Sequence, residues 1–358
     1  RDFLNLDEQS QQILIAFGFS ALLMLYSTLR SLPFSAYQTF VIEAEFEFNK
    51  TTLSTFILDI VKSLALSSII GAPVLAGVLF VIEWAGSNFY LYLWTLLFLI
   101  QLVLVSIYPI FIAPIFNKFE PLEEGSLRHD ITELCKRVHF PLTKLYVVDG
   151  SRRSAHSNAY FYGFFSNKRI VLYDTLLKGQ GKMSNQQILS ILCHELGHWQ
   201  YMHPLLLFVI QNLYTLAFVY VFNFFLHQQA LYTSFGFSTS PTFIGLLLFS
   251  NIFSPLSHLF SLVINGIVRQ LEYQADRYAK SLGFKLGSGL VKIHLKNLAN
   301  LVPDRFYSLY HYNHPTLVER LQALGETGEA IKQEQNEYEK QENQQEENQQ
   351  EENQQEEN

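Results

Sequence analysis

Apolar residues in this chain are gathered in long blocks almost free of charge, not scattered as in a soluble domain. A helix crosses the hydrocarbon core of a bilayer with roughly 20 apolar residues. Five blocks come near that length, at about 12–29, 63–82, 89–113, 204–226 and 242–264. The third ends in Pro109 and Pro114, which predicts a break or kink there, because proline removes a helical donor and clashes with the preceding turn. The fifth holds Asn251, Pro255 and His258 and is the least lipid-like; its expected neighbours are other helices or a wet cavity.

Between the blocks the composition changes. "LYVVDG" (145–150), "SNAYFYGF" (157–164) and "KRIVLYDTLL" (168–177) are rich in β-branched and aromatic residues, and "FSNK" separates the last two at hairpin length. A small β-sheet with one hairpin is expected there. "SNQQILSILCHELGHW" then reads as a helix with Ser184 or Asn185 at its N-cap. The pattern divides the chain into five parts: membrane spans with a polar loop at 1–113, a non-membrane segment at 114–203, a second pair of spans at 204–264, a polar helical part at 265–325, and a tail at 326–358. The tail degenerates into "NQQEENQQEENQQEEN", which lacks the apolar residues needed to offset the entropy of folding and is expected to be disordered.

Composition adds three points. Of the 25 Lys and Arg residues, 24 fall in 30–62, 114–203 and 265–358, and only Arg1 on the opposite side of the spans. By the positive-inside rule those segments and the C-terminus are cytosolic. The formal charge of −7 is set by the tail, which carries −10 and leaves +3 for the body, so nothing reads as a nucleic-acid surface. Two cysteines, Cys135 and Cys193, make no disulfide framework. The chain starts at Arg1, with no secretory signal at its front, and is expected to be a fragment or a processed form.

The chemistry lies in "HELGH". His194 and His198 are four apart on a helix and share a face, so both can grip one ion, with Glu195 beside them within reach of a water. Zinc suits two such histidines, and a catalytic zinc takes three protein ligands and keeps one position open. There the metal acidifies water and polarises a carbonyl while a glutamate takes the proton. For the third ligand the downstream residues are His203, His227, His258, Glu272, Asp276, His311 and His314. On a continuous helix His203 lies about 140° round from His198 and points away. Glu272 is best placed, in "VRQLEYQADRYAKSLG", four before Asp276 on one helix face; Asp276 would then orient a ligating histidine. The plainer reading pairs both acids with Arg269 or Lys280 on a solvated face. Cys193, inside the helix, reads as a packing residue and not as a nucleophile.

"SAHSNAYFYGFFSNKRIVLYDTLL", "HELGHW", "EYQAD" and "YHYNHPTLVERLQAL", in this order, closely resemble the type I CAAX prenyl proteases. The similarity runs from "LPFSAYQTFVIE" to about Leu324. It implies a mainly α, multi-span membrane protein with a gluzincin-like zinc metalloprotease core and a small β-sheet beside the active site. It implies one zinc per chain on His194, His198 and Glu272, with Glu195 as the catalytic base. It implies that "SNAY" lies on an edge strand where a peptide can add as a further strand, with Asn158 and Ala159 as substrate-binding positions. His314 would stabilise the tetrahedral oxyanion. Arg320 would hold His314's neighbourhood or bind a substrate carboxylate. The implied reaction removes the last three residues of prenylated CaaX proteins, and in some members also cuts the same substrate nearer its N-terminus. The implied setting is the endoplasmic reticulum and the inner nuclear membrane, with membrane lipids and prenylated substrates as partners and a monomer as the working unit. Members of the family have seven spans, so two N-terminal spans are expected to be missing from these five. Two other readings remain. One is a membrane quality-control zinc protease of low specificity, disfavoured by the length of the resemblance. The other is a non-catalytic membrane scaffold, disfavoured by three ligands plus a glutamate where a structural site would close with four.

Overall fold

The computed structural model describes residues 8–163, 167–178, 182–326 and 328. The "FSNK" loop lies partly outside them and the Gln/Glu-rich repeat wholly so. Ten helices of seven or more residues occur among the described residues: α1 (Glu8–Tyr37), α2 (Leu53–Trp84), α3 (Phe89–Ile107), α4 (Ser126–Arg137), α5 (Asn185–Gln200), α6 (His203–Leu226), α7 (Thr242–Ser281), α8 (Leu286–Lys296), α9 (Arg305–His311) and α10 (Leu317–Leu324). Four strands accompany them: β1 (Phe119–Pro121), β2 (Leu142–Val148), β3 (Ala159–Tyr162) and β4 (Lys168–Tyr173). The protein is thus mainly helical with one small sheet.

The chain forms two compact units, one of residues 1–116 and 205–259 and the other of 117–204 and 260–358. The first is a helical unit built on apolar blocks. Five segments among the described residues are long and apolar enough to cross a membrane: Ile13–Glu45, Leu53–Trp84, Gly86–Phe116, His203–Leu226 and Thr242–Ser281. Their apolar surface is largely exposed, as a lipid-facing helix requires, while Val78, Ile82, Phe89, Leu93, Phe222 and Phe249 make a core between them. Polar groups in the unit find partners on neighbouring helices. Trp94 Nε1 donates to the Asn212 carbonyl at 3.0 Å, and Asn212 Nδ2 donates to Gln101 Oε1 at 3.0 Å. Such pairing relieves polar atoms that lipid cannot hydrate. The third span does not break at its prolines but changes its hydrogen bonding there: α3 passes into a five-residue π turn, Tyr108–Ile112, that contains Pro109, and the helix runs on to Phe116.

The fifth span departs from expectation. No break separates a span ending near 264 from a polar helix after it. The single helix α7 runs unbroken for 40 residues through Pro255. A helix lacks one hydrogen bond at proline, and continuous packing on either side can carry it through.

The second unit packs helices α4, α5, α8 and α10 against the sheet, around Ile131, Ile170, Leu172, Leu192, Leu196, Leu286 and Leu321. The strand order is β1-β2-β4-β3. β3 pairs antiparallel with β4 from Ala159↔Leu172 to Tyr162↔Arg169, and β2 pairs parallel with β4. β3 is therefore an edge strand.

Candidate metal and peptide site

Helix α5 starts in a capping box. Ser184 Oγ accepts from Gln187 N at 3.3 Å, and Gln187 Oε1 accepts from Ser184 N at 3.0 Å, so two orphan donors of the first turn are satisfied. Ile188, Ser190, Ile191, Leu192, Cys193 and Leu196 are buried, which sinks the middle of the helix into the unit. Gly197 lets α7 come close: a Cβ there would stand 3.0 Å from Ala275 Cα and 3.2 Å from its carbonyl oxygen. Through this contact the Glu272–Asp276 turn of α7 faces the His194–His198 turn of α5.

The three donor residues converge. His194 Nε2 and His198 Nε2 lie 3.2 Å apart, and Glu272 presents Oε2 at 3.4 Å from the first and Oε1 at 3.2 Å from the second. One ligand atom from each residue falls within 4.8 Å of the others. Among the described residues Glu272 Oε2 is buried without a hydrogen bond. A buried carboxylate oxygen left so is costly unless a cation takes it up. Two imidazole nitrogens and that oxygen form the donor set of a metal ion, and they fit one.

Asp276 and Arg320 lie behind the ligands. Asp276 Oδ1 is 2.8 Å from His194 Nδ1. Arg320 Nε donates to Asp276 Oδ2 at 2.9 Å, its Nη2 bonds Oδ1, and Nη2 also lies 3.3 Å from His194 Nδ1. Burial alone would lower the His194 pKa, but the carboxylates of Asp276 and Glu272 beside it outweigh that and raise it to about 9 in the metal-free protein. Burial raises the Glu195 carboxyl above its ordinary value against the opposing pull of His194 and His198. Both cysteine thiols are buried and pushed up to about 12, so neither is a nucleophile at neutral pH.

These groups open onto a cavity of about 330 Å³ whose lining includes the polar Ser157, Asn158, His194, Glu195, Glu272, His314 and Arg320 and the apolar Ile191, Leu286, Leu290 and Ile293. His314, exposed, points Nε2 at Glu272 Oε1 from 3.4 Å, and its Nδ1 lies 2.7 Å from Asn313 Oδ1.

Arg320 was expected to hold His314's neighbourhood or grip a substrate carboxylate; it lines the cavity with its guanidinium buried and bonded to Asp276. Ala159 sits on the edge strand with its methyl in the core, and its amide is taken by Asn158 Oδ1 at 2.8 Å. One expectation needs correction: His203 does not point away. Helix α5 ends at Gln200, Met202 adopts φ 54°, and the turn folds His203 back until its Nδ1 lies 2.9 Å from His198 Nδ1. The solvated-face alternative for Glu272 and Asp276 is not realised: Arg269 pairs with Glu319, and Lys280 donates to the Leu324 carbonyl.

Some neighbours of the site were not foreseen. Gln274 Oε1 lies 3.2 Å from His203 Nε2. Asn297 lines the cavity and its Oδ1 accepts from Ser157 N at 3.2 Å, tying α8's end to the segment before β3. Only the fold brings residues 140 positions apart together.

Comparison with known proteins agrees with this geometry. Residues 3–118 match the family described as CAAX prenyl protease N-terminal, five membrane helices, and residues 121–328 match peptidase family M48. The CAAX prenyl protease 1 homolog of Oryza sativa subsp. japonica is 46% identical over 315 residues, covering 87% of this chain and 74% of that protein. CAAX prenyl protease 1 of Saccharomyces cerevisiae is 42% identical over 332 residues, covering 88% and 73%. The crystal structure of S. mikatae Ste24p superposes with a TM-score of 0.81 at 43% identity, over 86% of this chain and 74% of that one. The chain therefore belongs to peptidase family M48, as an integral membrane metallopeptidase whose N-terminal part is the CAAX prenyl protease membrane domain.

Proposed function

We propose that the protein is a zinc endopeptidase that removes the last three residues of prenylated CaaX proteins. The carrying observation is the convergence of His194, His198 and Glu272 beside Glu195 on one cavity next to an edge strand. The relatives' names supply the substrate class.

His194 and His198, through Nε2, and Glu272 would hold one zinc per chain. When bound there, zinc supplies a Lewis acid that polarises a carbonyl and acidifies water. Glu195 takes a proton at its carboxylate and returns it to the leaving amine; burial makes it a stronger base than an exposed glutamate. Asp276 holds the His194 ring by Nδ1, and Arg320 balances Asp276 and keeps it in place. His314 stands at the cavity where it can donate to the oxyanion of the tetrahedral species. The peptide adds beside β3, where Asn158's side chain must release the Ala159 amide for a main-chain bond. The apolar wall of Ile191, Leu286, Leu290 and Ile293 takes aliphatic side chains.

A membrane protein suits this substrate, because a prenyl chain already holds the peptide at the bilayer surface. We place the protein in the endoplasmic reticulum and inner nuclear membrane, as a monomer among lipids, with the catalytic unit cytosolic as the lysines and arginines indicate. The test is mass spectrometry of a farnesylated CaaX peptide incubated with purified protein, beside the Glu195→Gln variant and a non-prenylated peptide. Release of the terminal three residues by the parent, and preferentially from the prenylated peptide, is expected. Equal cutting of the bare peptide at varied positions would replace this reading with a quality-control protease.

A further inference from the structure

The two metal-ligating histidines have different partners on their far nitrogens. His194 Nδ1 faces a carboxylate, Asp276, at 2.8 Å. His198 Nδ1 faces a second imidazole, His203, at 2.9 Å. His203 is 2% exposed, and its remaining nitrogen, Nε2, lies 3.2 Å from Gln274 Oε1. Gln274 itself sits on α7 between Glu272 and Asp276.

The hydrogen positions along this chain follow from elementary valence. If His198 offers Nε2 to a metal as a lone pair, its proton must sit on Nδ1. Nδ1 then donates, and His203 Nδ1 must accept. A neutral His203 accepting at Nδ1 carries its proton on Nε2, where Gln274 Oε1 accepts it. Each step has a donor facing an acceptor, and the chain ends on an amide oxygen that cannot donate.

We propose that His203 is a positioning residue for the metal centre, which fixes the tautomer and ring angle of His198 and is itself held by Gln274. The assignment rests on the reading that His194, His198 and Glu272 hold zinc. Its chemical content is an asymmetry. An anionic partner strengthens a histidine as a donor to the metal, and a neutral partner orients it without adding charge. His203 thus orders His198 while leaving the ion more of its positive charge than a second aspartate would. The turn that makes this possible is strained: Met202 holds a left-handed conformation, φ 54°, uncommon for a residue other than glycine. That conformation ends α5 within a turn of His198 and returns the chain so that His203 reaches it.

The test is zinc retention by the purified full chain, titrated against a chromophoric chelator, with His203→Leu, His203→Asn and Gln274→Leu. Asparagine Oδ1 takes nearly the place of imidazole Nδ1 and keeps the acceptor; leucine keeps the volume and removes it. Loss of a histidine's outer partner weakens metal binding by about 10- to 100-fold. His203→Leu is expected to fall in that range, His203→Asn to stay within about threefold of the parent, and Gln274→Leu to lose several-fold because His203 can then turn its proton toward His198. Melting of the zinc-free proteins separates misfolding from loss of the ligand; if His203→Leu fails to fold, Gln274→Leu carries the decision. Parent-like retention in folded His203→Leu or in folded Gln274→Leu overturns the assignment, as does an asparagine variant as weak as the leucine one. A parent that binds no zinc would instead sink the metal reading, and the assignment with it.

Discussion

Glu195 and His194 are adjacent in sequence and do opposite things. Both line the cavity; in the proposed mechanism Glu195 is the base there, while His194 is held between Glu272 and Asp276. Glu195→Gln keeps the shape and removes the base, so peptide cleavage should fall by roughly 10²–10⁴-fold while zinc content, read by elemental analysis, is unchanged. His194 makes metal binding pH-dependent. Its metal-free pKa is raised from 6.5 to about 9, so at neutral pH it is protonated and zinc must displace that proton. Apparent zinc affinity should therefore rise about tenfold per pH unit through neutrality and level off above about 9. The stability of the metal-free protein runs the other way. A raised folded-state pKa contributes stability fully below about 6.5, which is lost as pH rises through about 9. Chelator titrations at three pH values, with thermal unfolding of the stripped protein alongside, check both signs. Affinity that is flat with pH would mean that His194 is already neutral before the metal arrives.

At the scale of elements, the site is one turn of α5 laid against one turn of α7, and Gly197 sets the spacing. In Gly197→Ala the new methyl would meet the Ala275 backbone at 3.0 Å, and backbone cannot turn aside as a side chain can. Pushing the helices apart should cost about 1–3 kcal/mol in stability and weaken zinc binding with it, both measurable on the same sample. Asp276→Ala should cost about 3–5 kcal/mol, because it leaves the buried Arg320 guanidinium without its counter-charge. Much of this was legible from spacing. Residues four apart on a helix share a face, which pairs His194 with His198 and Glu272 with Asp276. The β-branched and aromatic stretches marked β2, β3 and β4 but not β1, and Ser184, one of two N-cap candidates, marked the start of α5. What stayed hidden depends on where an element stops. The angle that turned His203 away assumed a helix continuing past Gln200, and the Met202 turn ended it. The boundary near 264 marked where the apolar block ends, but the helix itself continues to Ser281, because a change from apolar to polar residues does not stop a helix. Arg320 with Asp276, and Asn297 with Ser157, are contacts 44 and 140 residues apart, and no local pattern encodes them.

At the scale of the whole molecule the argument turns on which side of the membrane the chemistry lies. The basic residues are so lopsided that one arrangement is strongly favoured: 24 of 25 fall on the side that carries 114–203 and 265–358. The proposed topology puts the turn between α6 and α7 on the opposite side, and residues 227–241 hold no lysine or arginine at all. Substrate chemistry asks for the same arrangement. If the substrates are prenylated proteins that present their modified ends at the cytosolic face, the proposed topology requires the unit with His194, His198 and Glu272 to be cytosolic. An N-glycosylation acceptor flanked by flexible spacers and inserted near Gly236 should be modified in microsomes and shifted back by deglycosylation. The same cassette placed after Gly328 should stay unmodified. Modification at the C-terminal position but not at Gly236 would invert the topology and put the metal site in the lumen. Prenylated cytosolic proteins could not then be its substrates, whatever its activity toward a farnesylated peptide in detergent. Because the cassettes lie outside the catalytic residues, the outcome bears on the substrate class without depending on the chemistry of the metal site.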